Sequence, residues 1–381
     1  MQSYLLRLFL EFIDFNSLTQ VSPVHDFVGR LAEKYPSFLL KLSRLETRYL
    51  EESFADIKID RPIFISGLAR SGTTILLELL ASHRDTGTHQ YRDFPLPHIP
   101  IWWNWFLDNA SRGKYEAIER THGDGITVTP DSPEAMEEIL WMSFFSDIHD
   151  PRKNNILGSE CSYPLFENFY LDHIKKILFI RRGSRYLVKG NYNISRIAYI
   201  NHIFPDARFV IPVRNPVNHI ASLIKQHRLF SALEEREPKV LAYMRRAGHF
   251  EFGLDRRAIN FGSYDTIKRI EQFWRDGDEI RGWAAYWSSV YEHVGDIIDK
   301  NERLANNVLF IHYSNLCEQP LQIIDRLYQH CELEVTDQIL QEQASRIKPP
   351  DNYDLDFSSN DLETIHEETN RTEIRIRSFV S

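Results

Sequence analysis

Cysteine is scarce in this chain: Cys161, Cys317 and Cys331 are all there are in 381 residues. They stand too far apart for a C-x-x-C clip and cannot all pair, which argues against a disulfide framework or structural zinc and points to a reducing, cytoplasmic compartment. Long apolar runs are missing too. The opening MQSYLLRLFLEFIDF is broken by Arg7, Glu11 and Asp14 before it reaches spanning length. It also lacks a basic region followed by an apolar run and a small-residue cleavage site, so neither secretion nor a membrane span is expected. Sixteen glycines and seventeen prolines are too few for a collagenous or low-complexity chain, and no long period repeats, which excludes a solenoid. Nor is there a basic surplus. The 45 Lys and Arg against 54 Asp and Glu leave a net charge of −9, which disfavours nucleic acid as a partner.

What is present suffices for a buried core, with 43% hydrophobic and 26% charged residues. Within the acidic whole lies a basic island. Residues 151–225 hold twelve Lys or Arg against four acids, a bias that suits a polyanionic small ligand, although any single one of these cations is better read as an ordinary helix-face charge.

Periodicity organises the chain. Residues 1–60 carry helical stripes (Leu5, Leu8, Phe9, Phe12; then Phe38, Leu39, Leu42, Leu45) and form a lead-in. Pro62–Ser66 reads as a short buried strand, followed by a glycine loop and a helix from Thr74 to Ala81. Further strands are expected at Tyr186–Lys189, Arg208–Val213 and Asn307–His312, with helices at about 194–204, from Pro216 behind an Asn215 cap, and over 320–333. Residues 229–279 read as a charged insertion, a surface subdomain or a lid. Ile280, Trp283, Ala284, Trp287, Val290, Tyr291, Val294, Ile297 and Ile298 mark a long amphipathic helix with a core-facing stripe. Residues 351–381 form an acidic tail of little periodicity. Strands alternating with helices imply a three-layer α/β fold with a parallel sheet, residues 61–350 making its main domain.

Gly67-Leu-Ala-Arg70-Ser71-Gly72-Thr73-Thr74 falls between the first strand and its helix, where backbone N–H groups and the helix N-terminus can cradle an anion. Its glycines have the P-loop spacing, but Thr73 occupies the lysine position. That counts against ATP or GTP hydrolysis. The cation is Arg70, inside the loop.

This loop resembles that of the sulfotransferases that use 3′-phosphoadenosine 5′-phosphosulfate (PAPS), whose 5′-phosphosulfate loop has the form G-x-[PA]-[RK]-[ST]-G-T-T. A second family element matches as well: a strand ending in Arg214-Asn-Pro, with Ser222 eight positions on. The resemblance implies that Gly67, Arg70, Ser71, Gly72, Thr73 and Thr74 hold the 5′-phosphosulfate, and that Arg214 and Ser222 grip the 3′-phosphate. Lys189 matches a lysine that contacts the sulfuryl oxygens in the tyrosylprotein-type branch. Leu309–Leu316 looks like a late structural segment of the family, with Asn315 in place of the usual acid. The likeness runs from about Pro62 to Leu333. One departure is the missing Arg-Lys-Gly segment near the carboxyl terminus, for which Arg256 with Arg257, or Arg371, Arg375 and Arg377, are the alternatives.

By this resemblance the chain is expected to move a sulfuryl group from PAPS to a hydroxyl or amine of a small-molecule, carbohydrate or lipid acceptor. Arg70, Lys189, Thr73 and the loop amides would stabilise the developing charge without a metal. The acceptor's base is expected within Thr88–Pro95, at Asp93 in preference to His89. Trp102, Trp103 and Trp105, close behind, either line an acceptor pocket or belong to the core. A degenerate P-loop kinase or NTPase, and a non-catalytic nucleotide-binding protein, are the alternative readings.

Overall fold

The computed structural model describes residues 29–30, 33–110, 118–119, 127–348 and 357–379. Seven strands occur among them: β1 (Ile63–Ile65), β2 (Thr86–Gly87), β3 (Ile118–Glu119), β4 (Thr127–Val128), β5 (Arg185–Lys189), β6 (Arg208–Val213) and β7 (Val308–His312). Five form one all-parallel sheet in the order β2-β5-β1-β6-β7, while β3 and β4 pair separately as a short antiparallel ribbon. In a sheet covered on both faces every strand residue meets a helix, which explains why these strands read as unbroken apolar runs.

Alternation along the strands divides the core into two layers. Phe64, Val188, Phe209 and Ile211 point into a large cluster under helices Pro164–Arg181, Ile197–Ile203, Pro216–Arg236 and Glu279–Lys300. Ile63, Ile65, Leu187, Val210 and Ile311 point the other way, against helices Thr73–Ala81 and Pro320–Cys331. The stripe from Ile280 to Ile298 is core, with Trp283, Trp287 and Tyr291 almost wholly buried.

The flanking segments are tied on by specific pairs. Helix Pro36–Phe54 docks on helix Pro164–Arg181 through a buried ion pair, Lys176 Nζ to Glu46 Oε2 at 3.1 Å, with Lys176 also donating to the Ser43 carbonyl at 3.0 Å. The stripe at Leu5–Phe12 lies outside the described residues. Between 229 and 279 the chain is mainly helical, with Pro238–Ala247 and Tyr264–Arg275 as separate helices. The carboxyl-terminal stretch has regular structure. Ser359–Arg377 is a helix, opened by a Ser358/Asp361 capping box and laid along Glu279–Lys300 with Ile365 and Ile376 buried. Its apolar positions are so few that charge hides the period.

β1 lies at the sheet's topological switch point: the chain leaves it toward β2 on one side, whereas β6 leads on to β7 on the other. Open α/β sheets bind ligands in the crevice at the carboxyl ends of such strands. The glycine loop follows β1 directly, Lys189 ends β5, and Arg214 follows β6.

Candidate functional site

The loop's backbone sets the site. Arg70 has φ +69° and Gly72 φ +112°, both left-handed. At Gly72 a Cβ would stand 2.7 Å from a Tyr313 ring carbon, so both the conformation and the close approach demand glycine. Holding a residue with a side chain at Arg70's φ costs about 1–3 kcal/mol, which the surrounding contacts must offset. His219 supplies one of them. Its Nε2 lies 2.8 Å from the Ala69 carbonyl, while Trp287 Nε1 donates to its Nδ1 at 3.2 Å. Nδ1 therefore carries no proton, and Nε2–H donates to the loop. Burial depresses this imidazole to about 3, keeping it neutral.

Residues far apart in the chain converge on the loop. Arg70 Nε donates to Ser222 Oγ at 3.3 Å, and Arg214 Nη1 donates to the Arg70 carbonyl at 3.4 Å. Arg214 also lies over the Tyr313 ring, 5.4 Å from its centroid. Ser222 sits three positions after His219 on helix Pro216–Arg236, so one helix face presents both to the loop. On the other side, Lys189 Nζ donates to Thr74 Oγ1 at 3.3 Å and pairs with Glu134 Oε1 at 3.5 Å. Thr73 Oγ1 donates to Asn191 Oδ1 at 3.4 Å, and Asn191 Nδ2 donates to Glu251 Oε1 at 3.0 Å. Arg70, Thr73, Thr74, Lys189, Arg214 and Ser222 thus share one crevice. His219, Glu134, Asn191 and Glu251 complete it without having been legible in the sequence; only the i, i+3 spacing of His219 and Ser222 offered a signal.

Asp93 and His89 are placed otherwise. Both are wholly buried. Asp93 forms an ion pair with Arg181, accepts hydrogen bonds from Asn104 Nδ2 at 2.8 Å and Gln90 N at 2.9 Å, and lies 3.3 Å from His89 Nδ1. Burial pushes its carboxyl up, but His89, Arg181 and Asn104 together outweigh that and hold it well below the usual carboxylate range. His89 Nε2 faces His173 Nε2 at 3.0 Å. Asp93 and His89 are thus brought together with Arg181, Asn104 and His173, and not with Arg70, Lys189 or Arg214.

The tryptophans are likewise accounted for without an acceptor. Trp103 stacks on Phe106 and donates to the Arg92 carbonyl at 2.8 Å within a small cluster that includes Leu42, Trp102 and Leu107, and Trp105 is 66% exposed. The alternatives for the missing carboxyl-terminal segment are occupied. Arg256 lies on the Trp274 ring at 3.9 Å and pairs with Glu279, Arg257 pairs with Asp255, Arg375 with Asp296 and Asp299, and Arg377 with Glu373. Arg371 is exposed on the same carboxyl-terminal helix. Much of the basic island is spent in the same way, in Lys176–Glu46, Arg181–Asp93, Arg196–Glu138 and Arg208–Glu332 pairs.

The arrangement can hold a polyanion. Loop amides, a helix N-terminus and three cations surround one crevice, and Arg70, Ser222 and Arg214 lie to one side of the loop while Lys189 lies to the other. Among the described residues no group of three or more His, Cys, Asp or Glu is placed to bind a metal ion, and no helix is long and apolar enough to cross a membrane. All three cysteines are free thiols.

No curated protein sequence matches the chain significantly. Among solved structures it is similar to a sulfotransferase from Mycobacterium tuberculosis at 16% identity, with 97% of this chain and 92% of that one covered and a TM-score of 0.47. It is also similar to one from Mycobacterium avium (14%, 86% and 80%, 0.46) and one from Alicyclobacillus acidocaldarius (14%, 84% and 96%, 0.40). Residues 62–250, which contain the loop, Glu134, Lys189, Arg214 and Ser222, match the model of the sulfotransferase family.

Proposed function

We propose that this protein takes a sulfuryl group from PAPS and transfers it to a hydroxyl or amine of a small-molecule, carbohydrate or lipid acceptor by in-line displacement. The observation that carries this reading is the contact of Arg70 with both Ser222 and Arg214, at 3.3 and 3.4 Å, across about 150 residues of chain. An ordinary adenylate has one phosphate cluster and needs one cradle. A donor with phosphates at both its 5′ and 3′ positions needs two, side by side, and that is the spacing these residues support. Thr73 and Thr74 with the loop amides, Ser71's among them although its side chain is wholly buried, would hold the 5′-phosphate, and Arg214 with Ser222 the 3′-phosphate.

The donor supplies an electrophilic sulfur, and the chain's own residues orient and stabilise. Lys189, fixed on Thr74, aims its ammonium where charge builds on the bridging and equatorial oxygens, and Arg70 counters the 5′-phosphate. His219, neutral, keeps the loop carbonyl of Ala69 turned inward and away from the anion. The crevice excludes much water, since Lys189 and Arg214 are each less than a tenth exposed, which strengthens these charges.

A kinase or NTPase would need the loop lysine, whose place is taken by Thr73. Thermal-shift titration with adenosine 3′,5′-bisphosphate, ATP and GTP tests the donor reading. Selective stabilisation by the bisphosphate is expected, and equal or stronger stabilisation by ATP overturns it. Transfer of labelled sulfuryl from PAPS to a mixed acceptor panel tests catalysis.

A further inference from the structure

Asp93 and His89 are wholly buried, and the backbone sets another carboxylate next to their segment. Segment 89–92 forms a ladder with segment 130–134: Glu134 N–H donates to the His89 carbonyl at 3.0 Å, Tyr91 N–H to Ser132 at 3.1 Å, and Arg92 N–H to Pro130 at 2.9 Å. An isolated antiparallel bridge joins Gln90 to Pro133. The buried His89–Asp93 cluster is therefore the platform, and the carboxylate that emerges from it toward Lys189 is on the partner segment. Glu134 Oε1 lies 3.5 Å from Lys189 Nζ, which in turn touches Thr74 of the loop. Its side chain is 17% exposed, so it opens onto the crevice, and the Ala135 N–H donates to Oε1 at 2.6 Å, fixing its direction. Tyr243 stands near enough for the charge on Glu134 to add to burial in pushing its phenol up to about 12, and the Tyr243 ring meets Phe94 edge-on at 5.2 Å. The other carboxylate nearby, Glu251, is turned to Asn191 and His249 rather than to Lys189.

We propose that Glu134 is the base that accepts the acceptor's proton, with Phe94 and Tyr243 forming the wall against which the acceptor lies. The inference rests on the sulfuryl-transfer reading above. In the step, Glu134 takes the proton from the acceptor O–H or N–H as that oxygen or nitrogen forms its bond to sulfur. The bond from sulfur to the 5′-phosphate oxygen breaks, its electron pair leaving with adenosine 3′,5′-bisphosphate. Lys189 takes no part in this proton transfer and holds Glu134 beside the sulfuryl group.

Because the acceptor is unidentified, the test uses the donor itself. A carboxylate facing the sulfuryl group repels it, so Glu134→Gln should bind PAPS about tenfold more tightly while its affinity for adenosine 3′,5′-bisphosphate, which has no sulfuryl group, changes less than about twofold. Release of labelled sulfate to water and to the acceptor panel should fall about 10²-fold or more in the same variant, as expected for loss of a base. Glu134→Asp, with the charge drawn back by one methylene, should bind both ligands like the wild type and retain intermediate turnover. The proposal is overturned if Glu134→Gln shifts both affinities together, if its sulfate release matches the wild type, or if Glu251→Gln produces the effect instead. Wild-type protein that binds neither ligand would sink the donor reading and this assignment with it, whereas wild-type binding with an inert Glu134→Gln phenotype sinks the assignment alone.

Discussion

Two carboxylate–cation pairs lie within one short stretch of fold, and they differ in almost everything but charge. Asp93 is wholly buried against Arg181, its carboxylate accepting from three donors and facing His89. Glu134 and Lys189 meet more loosely at 3.5 Å, with both side chains reaching the crevice. The contrast teaches that a pair's role follows from what else its lone pairs do. A fully satisfied buried pair specifies shape, and its integrity is all or nothing. A pair at the edge of a crevice stays within reach of a ligand.

The largest expected effect breaks the comparison from the buried side. Asp93→Ala leaves the Arg181 guanidinium, the Asn104 amide and the Gln90 N–H unmatched, and urea unfolding should show a loss of about 3–5 kcal/mol. A loss under about 1 kcal/mol would mean that the cluster is not structural. Since the folded-state carboxyl lies below its ordinary value, this contribution is complete at neutral pH and is lost progressively only as the pH falls below the ordinary carboxylate value toward the lower folded one.

Acid should act earlier through histidines buried in the neutral form. Burial lowers His219 to about 3 and His98, His227, His293 and His330 to about 4, from 6.5. The unfolded chain takes up these protons as the pH falls through 6.5, and the native protein does not until about 4 or below. Stability is therefore full above about 6.5, and below about 6 it should decline by at least ~1 kcal/mol per pH unit. Urea midpoints at pH 7, 6 and 5 check this, and a flat profile contradicts it.

On the crevice side the effects should fall on ligands rather than on the fold. Arg214→Ala should weaken adenosine 3′,5′-bisphosphate by about 10–100-fold, the range for a hydrogen bond to a charged group, with unfolding free energy nearly unchanged. Ser222→Ala removes a neutral hydroxyl, and about 3–10-fold is expected in the same titration. The smallest effect serves as the reference. Arg375→Ala breaks surface pairs with Asp296 and Asp299, worth at most about 1 kcal/mol, and should leave ligand affinity untouched.

The sequence made the cradle legible because its parts are local. Gly67 to Thr74 must contain glycine at position 72, where a left-handed turn meets the Tyr313 ring, and hydroxyls where amides converge, and Arg214 to Ser222 is a strand end followed by two helical turns. Asp93 and His89 read as candidate bases because nothing in a string of letters distinguishes a carboxylate beside the crevice from one buried against Arg181 and Asn104. Glu134 and Asn191 carry no signature. They act through contacts with Lys189 and Thr73, made by segments between 55 and 118 residues away along the chain. The helix Ser359–Arg377 escaped notice for a different reason, since its buried positions include Thr364, Thr369 and Thr372, which do not register as an apolar stripe.

The placement of β1 between two strands that come more than 120 residues later has a consequence for synthesis. As the chain leaves the ribosome, the glycine loop emerges early, but the residues it leans on (Lys189, Arg214, Ser222 and finally Tyr313) are still untranslated. Contacts so distant along the chain close slowly. A nascent polypeptide ending before Tyr313 thus carries the whole loop and yet lacks the ring that packs against Gly72, so competence to bind an anion there arrives as a late event of biogenesis rather than with the motif itself.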